Sequence, residues 1–98
     1  MRIEIGRRAF RQVERASSRW QEHRPAAPFL FDDELEAALG LLLTAPNLGI
    51  PYPTAKRPNL RRLLLPSTDY HVYFALEDES LIVIHSVWGA RRGRAPSL

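Results

Sequence analysis

The chain has no cysteine. Disulfide bonds and zinc sites built on thiolates are therefore excluded, and the fold must be held together by packing alone. No apolar run is long enough to cross a membrane, since the longest helical patch covers only residues 39–43. The N-terminus also lacks the apolar core of a signal peptide. We therefore expect a cytoplasmic protein.

The sequence also lacks the motifs of metal and cofactor sites. The three histidines are scattered without the spacing of a metal site, and no glycine-rich phosphate loop is present. A chain of 98 residues can bury one core but has little room for a deep cofactor pocket. We predict a single domain over residues 1–98 that binds no metal and no small-molecule cofactor.

Negative charge is missing from two long segments of a chain whose net charge is +3. No acidic residue lies between Glu36 and Asp69, and none follows Glu79. The cations of these segments are Lys56, Arg57, Arg61 and Arg62, then Arg91, Arg92 and Arg94. Because arginine makes planar, bidentate contacts with phosphate and carboxylate, these clusters predict an anionic partner, either nucleic acid or an acidic protein segment.

Two helices are predicted in the first half of the chain. The first runs from Arg7 to about Arg24, with a core face made by Ala9, Val13, Ala16 and Trp20. The second runs from about Pro28 to Thr44, with a core face made by Phe31, Leu35, Ala38, Leu39 and Leu42. Their short connection predicts an antiparallel hairpin. A close crossing of the two helices would explain the otherwise unfavourable Gly40.

Strands are predicted at residues 2–5, 61–65, 70–76 and 81–88. The last is apolar on both faces and should lie inside the sheet. Residues 46–59 contain four prolines and are predicted to be an irregular loop. The expected fold is α+β in the order β-α-α-β-β-β, with the helical hairpin on one face of a small, mainly antiparallel sheet. Alternation alone leaves open whether Val72 and Phe74 or His71 and Tyr73 face the helices.

The C-terminal half, RRLLLPSTDYHVYFALEDESLIVIHSVWGARRG, carries a resemblance to a known family. An arginine-headed strand, a Y-x-V-x-F strand and a final strand ending in VWGARR occur in order, and PNLG (residues 46–49) follows the second helix. This set resembles the RelE/ParE superfamily of toxins from type II toxin–antitoxin modules. The VW before the arginines, and a tail APSL without tyrosine or histidine, are more similar to the ParE-like branch.

The resemblance implies a function. A ParE-like toxin of a bacterial plasmid-stabilization module inhibits growth by binding DNA gyrase and is neutralised by a cognate antitoxin with an acidic C-terminal segment. The alternatives are a RelE-like, metal-independent endonuclease that cuts mRNA on the ribosome, and an inactive relative that only binds an antitoxin. Whether the chain is an enzyme stays open at this point.

The resemblance also implies a basic face opposite the helices, where Arg62 meets Arg91 or Arg92. The full binding set is Lys56, Arg57, Arg61, Arg62, Tyr73, Trp88, Arg91, Arg92 and Arg94. A nuclease would use Arg62, Arg91 and His85 as catalytic residues. The simpler interpretations are that His85 is hydrogen bonded within the sheet, that Trp88 belongs to the core, and that Tyr73 is a packed ring with its hydroxyl at the rim.

Overall fold

The computed structural model describes residues 1–98. Its elements are β1 (Arg2–Ile5), α1 (Arg7–His23), α2 (Leu30–Thr44), β2 (Ile50–Pro51), β3 (Arg61–Leu65), β4 (Tyr70–Asp78) and β5 (Leu81–Gly89). The predicted α+β order is confirmed.

The prediction of a wholly irregular loop at residues 46–59 is wrong in one detail, because β2 lies there. Pro51 is tolerated in β2 because this strand forms the edge of the sheet, where a missing N–H breaks no ladder. Neither helix is long and apolar enough to cross a membrane.

The five strands form one mixed sheet in the order β1-β5-β4-β3-β2. β3, β4 and β5 form the predicted antiparallel meander, while β1 pairs parallel with β5. β5 therefore has a hydrogen-bonded neighbour on each side, as its apolar sequence predicts. A register shift between Tyr73 and Phe74 on β4 lies opposite residues 84–86 of β5.

The helical hairpin covers one face of this sheet. Side chains from both layers form a single buried cluster that contains Ala9, Ala16, Phe31, Leu35, Ala38, Leu42, Leu65, Val72, Phe74, Ile82, Ile84 and Val87. Burial of each large apolar side chain contributes about 1.5–3 kcal/mol, so this layer supplies most of the hydrophobic stabilisation. Val72 and Phe74 point to the helices, and His71 and Tyr73 are therefore on the open face.

Two polar side chains attach the helices to the sheet. The side-chain amide oxygen of Gln12 on α1 accepts hydrogen bonds from the Val87 N–H at 2.8 Å and from the Ser86 hydroxyl at 3.0 Å, beside the register shift. The Glu34 carboxylate of α2 accepts three bonds from the β3–β4 turn, including the Thr68 hydroxyl at 2.6 Å. Burial acts to raise the pKa of Glu34, but the bonds from Thr68 and Ser67 outweigh it and lower the pKa.

The loop after α2 is fixed to β3 by a glycine and an arginine. Gly49 has φ +77°, and a Cβ there would lie 2.3 Å from the Arg62 carbonyl oxygen. The Arg61 guanidinium donates to the carbonyls of Asn47, Leu48 and Gly49. In contrast, a Cβ on Gly40 would meet no atom within 4 Å. The predicted close helix crossing at Gly40 is therefore wrong.

The two glycines should respond in opposite directions to alanine. Gly49→Ala forces a side chain into positive φ and against β3, and we expect it to lower the free energy of unfolding by about 2 kcal/mol or more. Gly40→Ala adds a better helix former in open space and should raise the same quantity by about 1 kcal/mol. Urea denaturation followed by circular dichroism measures both. Equal effects of the two substitutions would contradict the description of this loop.

Candidate anion-binding groove

The face of the sheet that the helices leave uncovered has a smaller apolar cluster of its own. Leu60, Tyr73 and Ala75 are buried in it, and Tyr52, Trp88 and Leu98 pack against them. Residues 94–98 fold back onto this face. Pro96 is buried, Arg8 donates to the Ser97 carbonyl, and the Trp88 indole donates to the Arg94 carbonyl at 2.9 Å. The chain thus covers part of the open face itself.

Beside this cluster lies a shallow groove of about 280 Å³. The strand register builds it, because β3 places Arg62 opposite Tyr73 and β5 places Trp88 opposite His71. The segment after β5 turns at Gly89 and brings Arg92 and Arg94 to the same groove. We call these three arginines together with Tyr52, His71, Tyr73 and Trp88 the groove residues.

The three groove arginines rest on aromatic rings instead of pairing with acids. The Arg62 guanidinium lies 4.9 Å from the centre of the Tyr52 ring, and that of Arg92 lies 4.2 Å from Trp88. The ion pairs of the molecule are Arg2–Glu4 and Arg91–Asp69, and Glu77 is hydrogen bonded to His85; none of these contacts involves the groove. A cation–π contact contributes about 0.5–1 kcal/mol at an exposed site and leaves the charge uncancelled. The groove therefore carries arginine charges that no acidic side chain of the chain pairs with.

Burial and charge shift the pKa of two groove side chains. Tyr73 is only 2% exposed, and this burial raises the pKa of its hydroxyl, with a further upward contribution from Tyr52 and an opposing one from Arg62. Burial also lowers the pKa of His71, and the Arg62 charge lowers it further, against an opposing effect of Asp69. Both side chains are therefore neutral at pH 7, and the positive charge of the groove is that of its arginines.

Several predicted site residues lie elsewhere. The Nε of Arg91 bonds the Asp69 carboxylate at 2.7 Å, on a different concavity from the groove. Arg61 lies on the same face of β3 as Leu63 and Leu65, which pack towards the helices. Its guanidinium donates hydrogen bonds to loop carbonyls. Of the two partners expected for Arg62, Arg92 is therefore the one that shares its groove.

A third group forms a separate recess near residues 97–98. Lys56, Arg57 and His85 line it together with Arg7 and Arg8. His85 is hydrogen bonded to Glu77 at 2.8 Å. The residues expected for a nuclease, Arg62, Arg91 and His85, thus line three different concavities instead of one site.

Sequence reasoning missed two groove residues, Tyr52 and His71. His71 lies on the same face of β4 as Tyr73, so it could have been assigned to the groove once that face was known to be the open one. Tyr52 lies in the proline-rich loop, and no periodicity could place its ring 5.2 Å from that of Tyr73. Trp88, interpreted from sequence as a core residue, is half-buried beside the groove.

Comparison with known proteins identifies the family. The family model described as the ParE toxin of the type II toxin–antitoxin system, parDE, matches residues 3–93. The chain therefore belongs to the ParE toxin family, within the superfamily indicated by the sequence. A solved structure titled "Chromosomal ParDE TA system from P. aeruginosa" has the same fold, with a TM-score of 0.76 and 15% sequence identity over 93% of this chain and 97% of that chain. No curated protein matches this sequence.

The coupling between Arg62 and Tyr73 can be measured by titration. In a Tyr52→Phe, Tyr70→Phe background, Tyr73 is the one remaining tyrosine, and we expect its pKa to lie above 10. Arg62→Met keeps an aliphatic cover but removes the charge that favours the phenolate, so the pKa should rise further. Ultraviolet absorbance against pH measures it, with Arg57→Met as the control that leaves it unchanged. A fall on Arg62→Met would contradict the assigned contact.

Proposed function

We propose that this chain is a growth-inhibiting toxin that binds DNA gyrase and is neutralised by an antitoxin whose acidic segment occupies the groove. Membership of the ParE family supports the toxin assignment. The observation that carries the second part is the convergence of Arg62, Arg92 and Arg94 without an acidic partner. These three charges come from β3 and from the segment after β5, so they meet only in the folded chain.

The groove suits an acidic peptide. It is open and shallow, and guanidiniums can bind carboxylates in bidentate fashion, which strengthens each contact relative to neutral hydrogen bonds. A disordered segment can follow such a surface along its length and order as it binds. The rings of Tyr52 and Trp88 hold the Arg62 and Arg92 guanidiniums beside the groove, so these charges are positioned before a peptide binds.

Catalysis is less well supported than binding. RNA cleavage needs a base for the 2′-hydroxyl and an acid for the leaving oxygen, placed within reach of one phosphate. Arg62, Arg91 and His85 lie in separate concavities, and burial raises the pKa of the Tyr73 hydroxyl, so it is no ready base. These features favour the gyrase-binding interpretation over the ribosome-dependent endonuclease.

A supercoiling assay tests the proposal. Purified protein added to DNA gyrase and relaxed plasmid should inhibit supercoiling in a dose-dependent way, and its expression without antitoxin should induce the SOS response. The product of the adjacent reading frame, if it encodes a small protein with an acidic C-terminus, should restore activity. In parallel, mRNA is probed for cuts in a translation extract. Cuts without gyrase inhibition would establish the endonuclease alternative, and neither effect would identify an inactive relative.

A further inference from the structure

A second concavity lies at the end of α1, apart from the groove. Its volume is about 640 Å³, and it is bounded by α1, the β3–β4 turn and the segment after β5. Four guanidiniums line it, those of Arg19, Arg24, Arg91 and Arg92. We call it the α1 cavity. The family assignment gives it no role.

Positive charge dominates the α1 cavity. Asp69 is the single acidic residue in its wall, and its carboxylate is paired with the Nε of Arg91 at 2.7 Å. Arg91 is 88% exposed, so its outer N–H groups remain available to a ligand. Arg19, Arg24 and Arg92 make no ion pair. The C-terminus of α1 carries the negative end of the helix dipole, which stabilises cations such as the Arg24 guanidinium at this end of the helix.

The α1 cavity and the groove share two lining residues, Gly89 and Arg92. Arg92 lines both, because it follows β5 at the point where the chain leaves the sheet. Guanidiniums therefore continue from Arg62 on the open face, around the end of β5, to Arg19 and Arg24 on the helical side. A strip that bends around an edge of the molecule suits an extended polyanion better than a small anion.

The aromatic rings along the strip are already occupied. The Arg92 guanidinium lies over the Trp88 ring and that of Arg24 lies 5.5 Å from Trp20, whose indole donates to the Ala27 carbonyl. The Tyr70 ring packs against Phe31 of the core. Single-stranded nucleic acid is usually held by bases stacked on free rings, whereas duplex DNA presents its phosphates outside and its bases inside. The strip is equipped for phosphates and not for bases.

We propose that the α1 cavity, continued by Arg92, binds the phosphate backbone of duplex DNA without sequence specificity. This binding is a property of the chain alone and does not require gyrase. It would hold the toxin on the DNA on which its target acts. The α1 cavity would then bind DNA, while the groove binds the acidic segment of the antitoxin.

Fluorescence anisotropy with a labelled duplex of arbitrary sequence tests the proposal. We expect binding at low salt, and a logarithm of the association constant that falls linearly with the logarithm of salt concentration, by about 0.9 for each phosphate contacted. Arg19→Ala/Arg24→Ala removes two contacts, so the slope should become shallower by about 1.8 and binding at low salt should weaken by about tenfold or more. Arg19→Lys/Arg24→Lys retains both charges and should retain the slope.

The matched control is Arg2→Ala/Arg11→Ala, which removes the same net charge from positions that line neither concavity. It should leave the slope nearly unchanged, and thermal denaturation confirms that each variant is folded. No binding at low salt, an equal loss in the control, or tighter binding of single-stranded DNA or polyglutamate than of the duplex would each overturn the proposal. Because gyrase is absent, failure here is distinct from failure in the supercoiling assay.

Discussion

The sheet is covered by helices on one face only, and this asymmetry governs the chemistry of the whole molecule. Val72, Phe74 and Ile84 must face α1 and α2 to form the core, so the alternate residues of the same strands are placed on the open face. There, a small apolar cluster around Tyr73 and residues 94–98 provides the cover that a third layer would give in a larger protein. The groove exists because that cover is incomplete.

The arginines of β3 and of the segment after β5 differ in what their guanidiniums contact. Arg91 pairs with Asp69 and Arg61 with loop carbonyls, so both contribute to the architecture. Arg62 and Arg92 lie over rings, which hold a guanidinium in place while leaving its charge and most of its N–H groups for a partner. Net charge therefore describes this protein less well than the distinction between paired and unpaired guanidiniums.

The sequence predicted the architecture well because the apolar residues recur with the period of each helix and strand. The core faces of both helices and the three-strand meander were predicted with bounds that differ by at most two residues from those observed. The family resemblance predicted that Arg62 meets Arg91 or Arg92 on one face, and in the structure Arg92 is the one that shares its groove. Side-chain pairing was beyond both kinds of reasoning. That Arg91, adjacent to Arg92, turns instead to Asp69, and that Tyr52 returns from a proline-rich loop to Tyr73, depends on turn geometry that has no periodic signal.

The central claim is that the unpaired guanidiniums of the groove, and not the basic character of the chain in general, bind an acidic protein segment. Arg91 and Arg92 are neighbours of equal charge, and only Arg92 lies in the groove. Isothermal titration of an acidic peptide taken from the antitoxin into Arg92→Met and Arg91→Met tests it most directly. The account predicts that Arg92→Met weakens binding by about tenfold, as expected for loss of a charge-assisted contact, while Arg91→Met has an effect of less than about threefold. Equal losses, or a larger loss for Arg91→Met, would contradict it.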